Sequence, residues 1–205
     1  MIECVIFDVD GTLLDTEKEI IESLQRIVKE ELGQEPAKEE LAFCLGIPGS
    51  VTLERLGIEN VEEVCNRWNS YIDKEVKEFI LYSGIKETLD ELQQRGVQVG
   101  VVTSRNKEEV DSAFIPLGLM KYMEHIVCCD DTTKFKPHPE PILKYLELSS
   151  IDPSNALYIG DTIYDKQCAQ GAGVKFALAL WGAKYPEKIG GDYLLESPSD
   201  VMKLF

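Results

Sequence analysis

From Ser83 onward, amphipathic helices alternate with short apolar segments, and this alternation constrains the fold more than any other feature of the chain. The predicted helix Ile85 to Arg95 ends at Gly96, and an apolar segment follows directly. Such a rhythm is the pattern of a parallel sheet whose strands are joined by helical crossovers. An apolar strand that ends before Asp8 belongs to the same set. The other predicted strands are 97–102, 126–129, 156–159 and 176–180.

The stretch from Thr16 to about Val76 carries helical patterning and no strand signal. Thr16 and Glu19 are spaced as a capping box, and Ser50 is a candidate cap for a later helix. The last helix of the stretch is expected to place Trp68 and Val76 on one apolar face. The sequence therefore predicts an α/β protein with an all-helical insertion after its first strand.

The composition of the chain limits the classes of partner and the cellular location that we expect. The 205 residues include 21 basic and 37 acidic side chains, a net charge of −16, which argues against nucleic acid or an anionic membrane as a partner. A core strand begins at residue 2 and no apolar run approaches a membrane span, so we expect a cytoplasmic protein. The six cysteines show no C-x-x-C pair and are expected to be reduced. A monomer and a homodimer both stay open.

Polar residues follow four of the predicted strands. The carboxyl ends of parallel strands share one edge of a sheet, so these side chains should converge there. Several carboxylates within a few ångströms raise one another's pKa, and a hard divalent cation with oxygen ligands, such as Mg²⁺, resolves that conflict. The converging residues are Asp8 and Asp10, Thr103 to Arg105, Lys136, and Asp161 with Asp165.

Four segments resemble, in order and spacing, the four motifs of the haloacid dehalogenase (HAD) superfamily. They are Asp8-Val9-Asp10-Gly11-Thr12, Val102-Thr103-Ser104, Lys136-Pro137 and Gly160-Asp161-Thr162-Ile163-Tyr164-Asp165. The resemblance covers nearly the whole chain. It implies a Rossmann-like core domain formed by residues 1–15 and 81–205, with residues 16–80 as a helical cap domain.

The same resemblance implies roles for individual residues. Asp8 would be the nucleophile that becomes an aspartyl phosphate, and Asp10 the general acid and base, with its backbone carbonyl facing the metal. Thr103 and Lys136 would hold the phosphoryl oxygens. Asp161 would bind Mg²⁺ directly. The implied catalytic residues are therefore Asp8, Asp10, Thr103 and Lys136, and the implied metal-binding residues are Asp8, Asp10, Asp161 and Asp165.

Two assignments keep alternatives. Arg105, next to Ser104 in the predicted substrate-binding segment, could reach an anionic substrate or pair with a carboxylate. Asp165 could bind metal, directly or through water, or only supply negative charge at a helix N-terminus. Ser104 is a candidate for substrate binding because it follows Thr103.

The predicted function is Mg²⁺-dependent hydrolysis of a small phosphorylated metabolite, as in the phosphoglycolate phosphatases that this sequence resembles. A pyrophosphatase or a sugar phosphate mutase of the same superfamily is the alternative. A mutase ranks lower, since the loop from Gly46 to Ser50 has no cation for a second phosphate. Dehalogenases lack the second aspartate. A non-enzymatic phospho-binding or receiver-type signalling domain is a further alternative, although a receiver would place its phosphorylated aspartate after its third strand.

Overall fold

The computed structural model describes residues 1–75 and 79–205, and its centre is a six-stranded parallel sheet. The strands lie in the order β3-β2-β1-β4-β5-β6. The predicted α/β architecture is confirmed, with the first strand in the interior of the sheet. The strands are β1 Cys4–Phe7, β2 Gln98–Val102, β3 His125–Val127, β4 Ala156–Gly160, β5 Lys175–Ala179 and β6 Tyr193–Leu195.

Helices connect the strands and cover both faces of the sheet. In chain order they are α1 Glu17–Leu32, α2 Lys38–Leu41, α3 Gly49–Arg55, α4 Val61–Glu75, α5 Ile85–Gln94, α6 Lys107–Leu117, α7 Glu140–Ser149, α8 Ile163–Ala172 and α9 Pro186–Ile189. Short 3₁₀ helices lie at Ala42–Cys44, Met120–Tyr122, Cys129–Asp131, Pro153–Asn155 and Pro198–Leu204. Across the described ranges, none of the helices combines the length and the apolar character that a membrane crossing requires.

Alternate residues of β1 enter separate hydrophobic clusters, as expected for a strand covered on both faces. Val5 and Phe7 join one cluster, and Cys4 and Ile6 join the other. All four side chains are fully or almost fully buried. The two clusters fix β1 rigidly, which matters because the predicted nucleophile is the next residue along the chain.

Helices α1 to α4, hereafter the helical insert, pack around a third cluster of their own that includes Leu24, Leu53 and Trp68. The chain leaves the sheet and returns to it side by side. Leu14 forms an isolated antiparallel bridge with Leu81, and the Asp15 backbone N–H donates to the Ile80 carbonyl at 2.9 Å. We call this pairing the neck. The predicted domain boundaries, 16–80 and the flanking segments, stay a prediction.

Several local predictions were wrong. The third strand ends at Val127, so Cys128 and Cys129 lie outside it and Cys129 begins a 3₁₀ helix. Strand β6 was missed, because only three residues form it at the sheet edge. Ser50 does not cap a helix, since α3 begins one residue earlier. Val76, predicted for the apolar face that includes Trp68, lies outside the described residues.

The six cysteines, which the sequence predicts to be reduced, are free thiols.

Candidate active site

The sharp turn after β1 places two aspartates at the middle of the sheet edge. The Asp8 backbone N–H donates to the Ile159 carbonyl at 2.8 Å, so the ladder with β4 continues into the site. The chain then reverses tightly, with the N–H groups of Leu13 and Leu14 both donating to the Val9 carbonyl. The strand order reverses between β1 and β4, and open α/β sheets bind their ligands at that point. Asp8 is 2% exposed there.

Gly11 allows Asp161, from the end of β4, to approach the β1 turn. A Cβ atom at Gly11 would lie 2.2 Å from Asp161 Oδ2, and the backbone φ of +75° also favours glycine. The neighbouring Thr12 hydroxyl donates to Asp161 Oδ1 at 3.1 Å. The Trp181 indole N–H donates to the Thr12 carbonyl at 2.9 Å and supports the turn from the β5 side. Residues 149 and 169 positions apart in the chain are therefore packed as one unit.

Lys136 forms ion pairs with two carboxylates beside the turn that follows β1. Its Nζ lies 2.8 Å from Asp8 Oδ1 and 2.7 Å from Asp165 Oδ1, and all three side chains are buried. The Tyr158 hydroxyl, on β4, donates to Asp165 Oδ1 at 3.0 Å and lies 3.2 Å from Nζ. Thr162 caps α8 and binds the other oxygen of Asp165. Asp165 thus belongs both to the helix terminus and to the site.

The carboxylates here outnumber the cations. Carboxylate oxygens of Asp8, Asp161 and Asp165 lie within 4.8 Å of one another, and Lys136 carries one positive charge among them. Burial, Asp165 and Asp8 raise the pKa of Asp161 well above its usual range, against the opposing effect of Lys136. Burial and Asp165 likewise raise the pKa of Asp8, again opposed by Lys136. Buried oxygen ligands with excess negative charge fit a hard divalent cation such as Mg²⁺.

Asp10 lies apart from this cluster and has its own partners. The Arg105 guanidinium donates from Nε to Asp10 Oδ2 at 2.8 Å and from Nη2 to Oδ1 at 2.7 Å. The Thr16 hydroxyl donates to Oδ1 at 2.5 Å, so the predicted capping box at Thr16 does not form through its side chain. Burial alone would raise the pKa of Asp10, but Arg105 and Thr16 outweigh it and lower that pKa. Arg105 therefore adopts the carboxylate pairing that the sequence left open.

Thr103 and Ser104 follow β2, next to β1. Thr103 is buried, and its hydroxyl accepts a hydrogen bond from the Arg105 backbone N–H at 3.1 Å. The Ser104 hydroxyl donates to the Gly46 carbonyl at 2.8 Å. Ser104 thus connects the sheet edge to the helical insert. The loop at Gly46 also lies over Thr162, because a Cβ at Gly46 would lie 2.7 Å from the Thr162 hydroxyl oxygen.

A comparison with known protein families decides the identity of the fold. The model of the haloacid dehalogenase-like hydrolase family matches residues 5–179. The chain belongs to this family. It is therefore a hydrolase, built on the HAD fold that its sheet order displays.

Individual HAD relatives match along their whole length. A Clostridium perfringens protein named as a predicted pyrophosphatase, PpaX, is 32% identical, and the match covers 100% of this chain and 97% of the relative. The pyrophosphatase PpaX of Bacillus mycoides is 30% identical, with 99% and 96% covered. A crystal structure from Lactobacillus plantarum, named as a predicted phosphoglycolate phosphatase, superposes with a TM-score of 0.89 at 27% identity and full coverage of both chains.

Three residues of this HAD site were missed as site residues by the sequence analysis. Thr12 lies inside the first motif, and its position directly after Asp-Gly is the signal that places it at the turn. Thr16 has the spacing of a helix cap, which concealed its bond to Asp10. Tyr158 gave no signal, because an aromatic residue inside an apolar strand is usually a core residue and its hydroxyl partners lie on other elements.

Proposed function

We propose that this HAD hydrolase is a Mg²⁺-dependent phosphatase that cleaves a small phosphate monoester through an aspartyl phosphate on Asp8. One observation carries the proposal: Asp8 is buried at the switch point of the sheet, and Lys136 holds one of its oxygens at 2.8 Å. A carboxylate fixed by a cation in this way is oriented for in-line attack and is not free to rotate. The proposed substrate is a small phosphorylated metabolite.

In the first half-reaction, Asp8 attacks phosphorus and the leaving alkoxide takes a proton. The Lys136 ammonium group stays beside the attacking oxygen and offsets the negative charge of the transferring group. Thr103, at the end of the neighbouring strand, supports a phosphoryl oxygen with its hydroxyl. Phosphoryl transfer depends mainly on such positioning and charge compensation.

Asp10 supplies and removes protons in this scheme. Both of its oxygens are engaged by Arg105, so at least one of those bonds must open before Asp10 reaches the leaving oxygen. The lowered pKa keeps Asp10 ionised in the resting protein, so Asp10 takes up a proton from solvent as its bonds to Arg105 open and passes that proton to the leaving alkoxide in the first half-reaction. The carboxylate that this transfer restores accepts a proton from the hydrolytic water in the second half-reaction. Arg105 is a positioning residue here and makes no proposed contact with the phosphoryl group.

The side chains of Asp8, Asp161 and Asp165 would hold the Mg²⁺ ion, together with the Asp10 backbone carbonyl. The ion would supply positive charge against the transferring phosphoryl group and would relieve repulsion among the carboxylates. The excess of buried carboxylates over Lys136 supports this assignment.

A pyrophosphatase is the second candidate, because the curated relatives at 30% and 32% identity carry that name. In this reaction the leaving group is inorganic phosphate in place of an alcohol, and the roles of Asp8 and Lys136 are the same. Membership of the HAD family argues against the receiver-domain alternative. The cytoplasmic location and the monomer or homodimer state stay predictions.

The test uses purified protein and an aryl phosphate ester. We expect hydrolysis with Mg²⁺, none with EDTA, and none in Asp8→Asn. Acid quench during turnover should trap the phosphorylated protein, which an intact mass measurement should detect. Peptide mapping should place the phosphate on Asp8. Hydrolysis by Asp8→Asn within tenfold of the parent protein, at matched purity, would remove Asp8 as the nucleophile.

A further inference from the structure

A cavity of about 340 Å³ lies between the helical insert and the sheet edge, and it opens onto Asp8 and Asp10. Its size is within the range of small-molecule sites. If phosphoryl transfer occurs at Asp8, the leaving group must lie in this cavity. The chemistry of its walls then decides which leaving group is accepted, and this step rests on the proposed function.

The described part of the cavity wall holds one basic side chain, Arg105. Its guanidinium group is bound through two nitrogens to Asp10, and a third nitrogen donates to the Glu109 backbone carbonyl at 3.4 Å. The positive charge is thus already compensated. Glu108 and Glu109 add two carboxylates to the same wall.

Glu109 lies where the helical insert meets the core. Its Oε1 accepts a hydrogen bond from the Asn69 amide of α4 at 2.5 Å, and its Oε2 accepts one from the Asn106 backbone N–H at 2.9 Å. Hydrogen bonds from N–H donors to both oxygens favour the carboxylate form of the side chain. Burial raises the pKa of Glu109, and Asp10 adds to that effect, so the surroundings already disfavour the negative charge. A second anion beside Glu109 would meet the same penalty together with direct repulsion.

The remaining polar lining is neutral. Asn66, Ser70 and Ser112 contribute amide and hydroxyl groups. The hydroxyls of Ser70 and Ser112 donate to backbone carbonyls of their own helices and keep acceptor capacity. Among the residues whose side chains the structure describes, 1–72 and 79–205, none forms a hydrogen bond with the Asn66 amide. Such groups suit the hydroxyls of an alcohol.

We propose that Glu109 is a specificity-determining residue that excludes negatively charged leaving groups, so that the substrate is the phosphate monoester of an uncharged, hydroxyl-bearing alcohol. On this assignment neither pyrophosphate nor a phosphorylated carboxylic acid is the preferred substrate, although relatives carry names of both kinds.

Matched substrates test the proposal on the wild-type protein. 2-Hydroxyethyl phosphate and 2-phosphoglycolate differ by a hydroxymethyl group in place of a carboxylate, and glycerol 3-phosphate and 3-phosphoglycerate form a second such pair. We expect kcat/KM to be at least about tenfold higher for the alcohol member of each pair, and higher than for pyrophosphate. An equal or higher value for an anionic member overturns the proposal. A higher kcat/KM for 2-aminoethyl phosphate than for 2-hydroxyethyl phosphate also overturns it. So does a failure to hydrolyse both 2-hydroxyethyl phosphate and glycerol 3-phosphate.

The variant Glu109→Gln assigns the effect to this residue. Glutamine also serves at the third position of a capping box, so α6 should keep its N-terminus. The ratio of kcat/KM for 2-phosphoglycolate to that for 2-hydroxyethyl phosphate should rise about tenfold. Glu87→Gln, an exposed residue in the first turn of α5, makes the same change of net charge away from the cavity and should leave the ratio unchanged.

An unchanged ratio in Glu109→Gln overturns the role of Glu109. The outcome is separable from failure of the proposed function, because the aryl ester reports Asp8-dependent hydrolysis whatever the natural alcohol is. If the aryl ester is cleaved through Asp8 but the carboxylate members of the pairs are preferred, the specificity proposal alone fails.

Discussion

Arg105 binds Asp10 with two parallel hydrogen bonds, from Nε and Nη2 to the two carboxylate oxygens, at 2.8 and 2.7 Å. The Arg105 side chain is 11% exposed and that of Asp10 20% exposed, so water weakens the pair little. The guanidinium carbon also lies 5.2 Å from the centre of the Phe79 ring. Asp10, the proposed general acid and base, is therefore held by Arg105, which follows the neighbouring strand β2. Phe79, which lies beyond the helical insert, packs on Arg105.

Arg105→Lys should lower kcat without a matching change in KM. Lysine keeps the charge but loses the planar fork, so it holds one oxygen of Asp10 and leaves the carboxylate free to turn. We expect a loss of about tenfold in kcat, measured with the aryl ester at saturating concentration. Arg95→Lys, at an exposed pair with Glu91, is the control and should match the parent. A kcat equal to that of the parent would show that Asp10 does not depend on the pairing.

Asp8→Asn should raise the melting temperature in EDTA while it abolishes turnover. An acid whose pKa is raised in the folded protein is destabilising when ionised, so its neutral amide should stabilise the fold at neutral pH. Lys136 keeps Asp165 as its partner after the change. Differential scanning calorimetry at pH 7.5 measures the shift, which we expect to be a few degrees upward. A large decrease would mean that the pair with Lys136 outweighs the repulsion.

Activity should disappear on treatment with EDTA and return with Mg²⁺, whereas Ca²⁺ should inhibit. The larger ion takes more ligands, often both oxygens of one carboxylate, which would hold Asp8 away from phosphorus. The measurement is the initial rate with each ion added to the stripped protein, with the melting temperature as an independent readout of binding. Unchanged activity in EDTA would mean that catalysis does not require a metal ion bound by the carboxylate cluster.

Asp10→Asn should separate the two half-reactions. General acid and base loss costs about 10²–10⁴ in rate, but an ester with a good leaving group needs little protonation. Such an ester should still transfer its phosphoryl group to Asp8, and the adduct should accumulate because hydrolysis lacks its base. Intact mass after acid quench detects it. Absence of the adduct, with the activated ester as impaired as an alkyl phosphate, would contradict the role of Asp10.

Gly11→Ala should cost both stability and activity, because its Cβ would lie 2.2 Å from Asp161 Oδ2. Gly33, the C-cap of α1, has a similar φ of +66° but no neighbouring atom within 4 Å of the added Cβ. Gly33→Ala therefore measures the backbone strain alone, about 1–2 kcal/mol. Gly11→Ala should exceed that loss in chemical denaturation and should also reduce kcat. Equal losses in the two variants would mean that Asp161 moves aside without consequence.

The sequence was most informative where one local rule determined the structure. Strands such as 97–102 were found because a buried parallel strand is a continuous apolar run between a helix end and a polar residue. Strand ends in a parallel sheet share one edge, so the meeting of Asp8, Lys136 and Asp165 could be expected from order alone. The family resemblance added roles for these residues that no spacing shows.

Other features depend on contacts between distant parts of the chain. Thr16 had two available partners, its own helix terminus and Asp10, and only the folded turn brings the second within 2.5 Å. Arg105 faced the same choice between substrate and carboxylate. Strand β6 has three residues, Tyr193–Leu195, and lies at the sheet edge beside β5, so its pattern is too short to recognise. The lining of the cavity likewise comes from several elements, α4 and α6 among them, whose relative orientation the sequence could not supply.

The neck at Leu14 and Leu81 gives the fold an evolutionary property. Because the chain departs and re-enters at positions that are adjacent in space, a recombination event with one splice point at each would exchange the part of the cavity wall that the helical insert contributes, while Arg105 and Glu109 would stay with the core. The donor and recipient would share the β1 turn, Lys136 and Asp161, all of which lie outside the exchanged segment. The insert's share of the cavity wall can therefore be acquired as a module, while Glu109 and the residues that transfer phosphate are inherited unchanged.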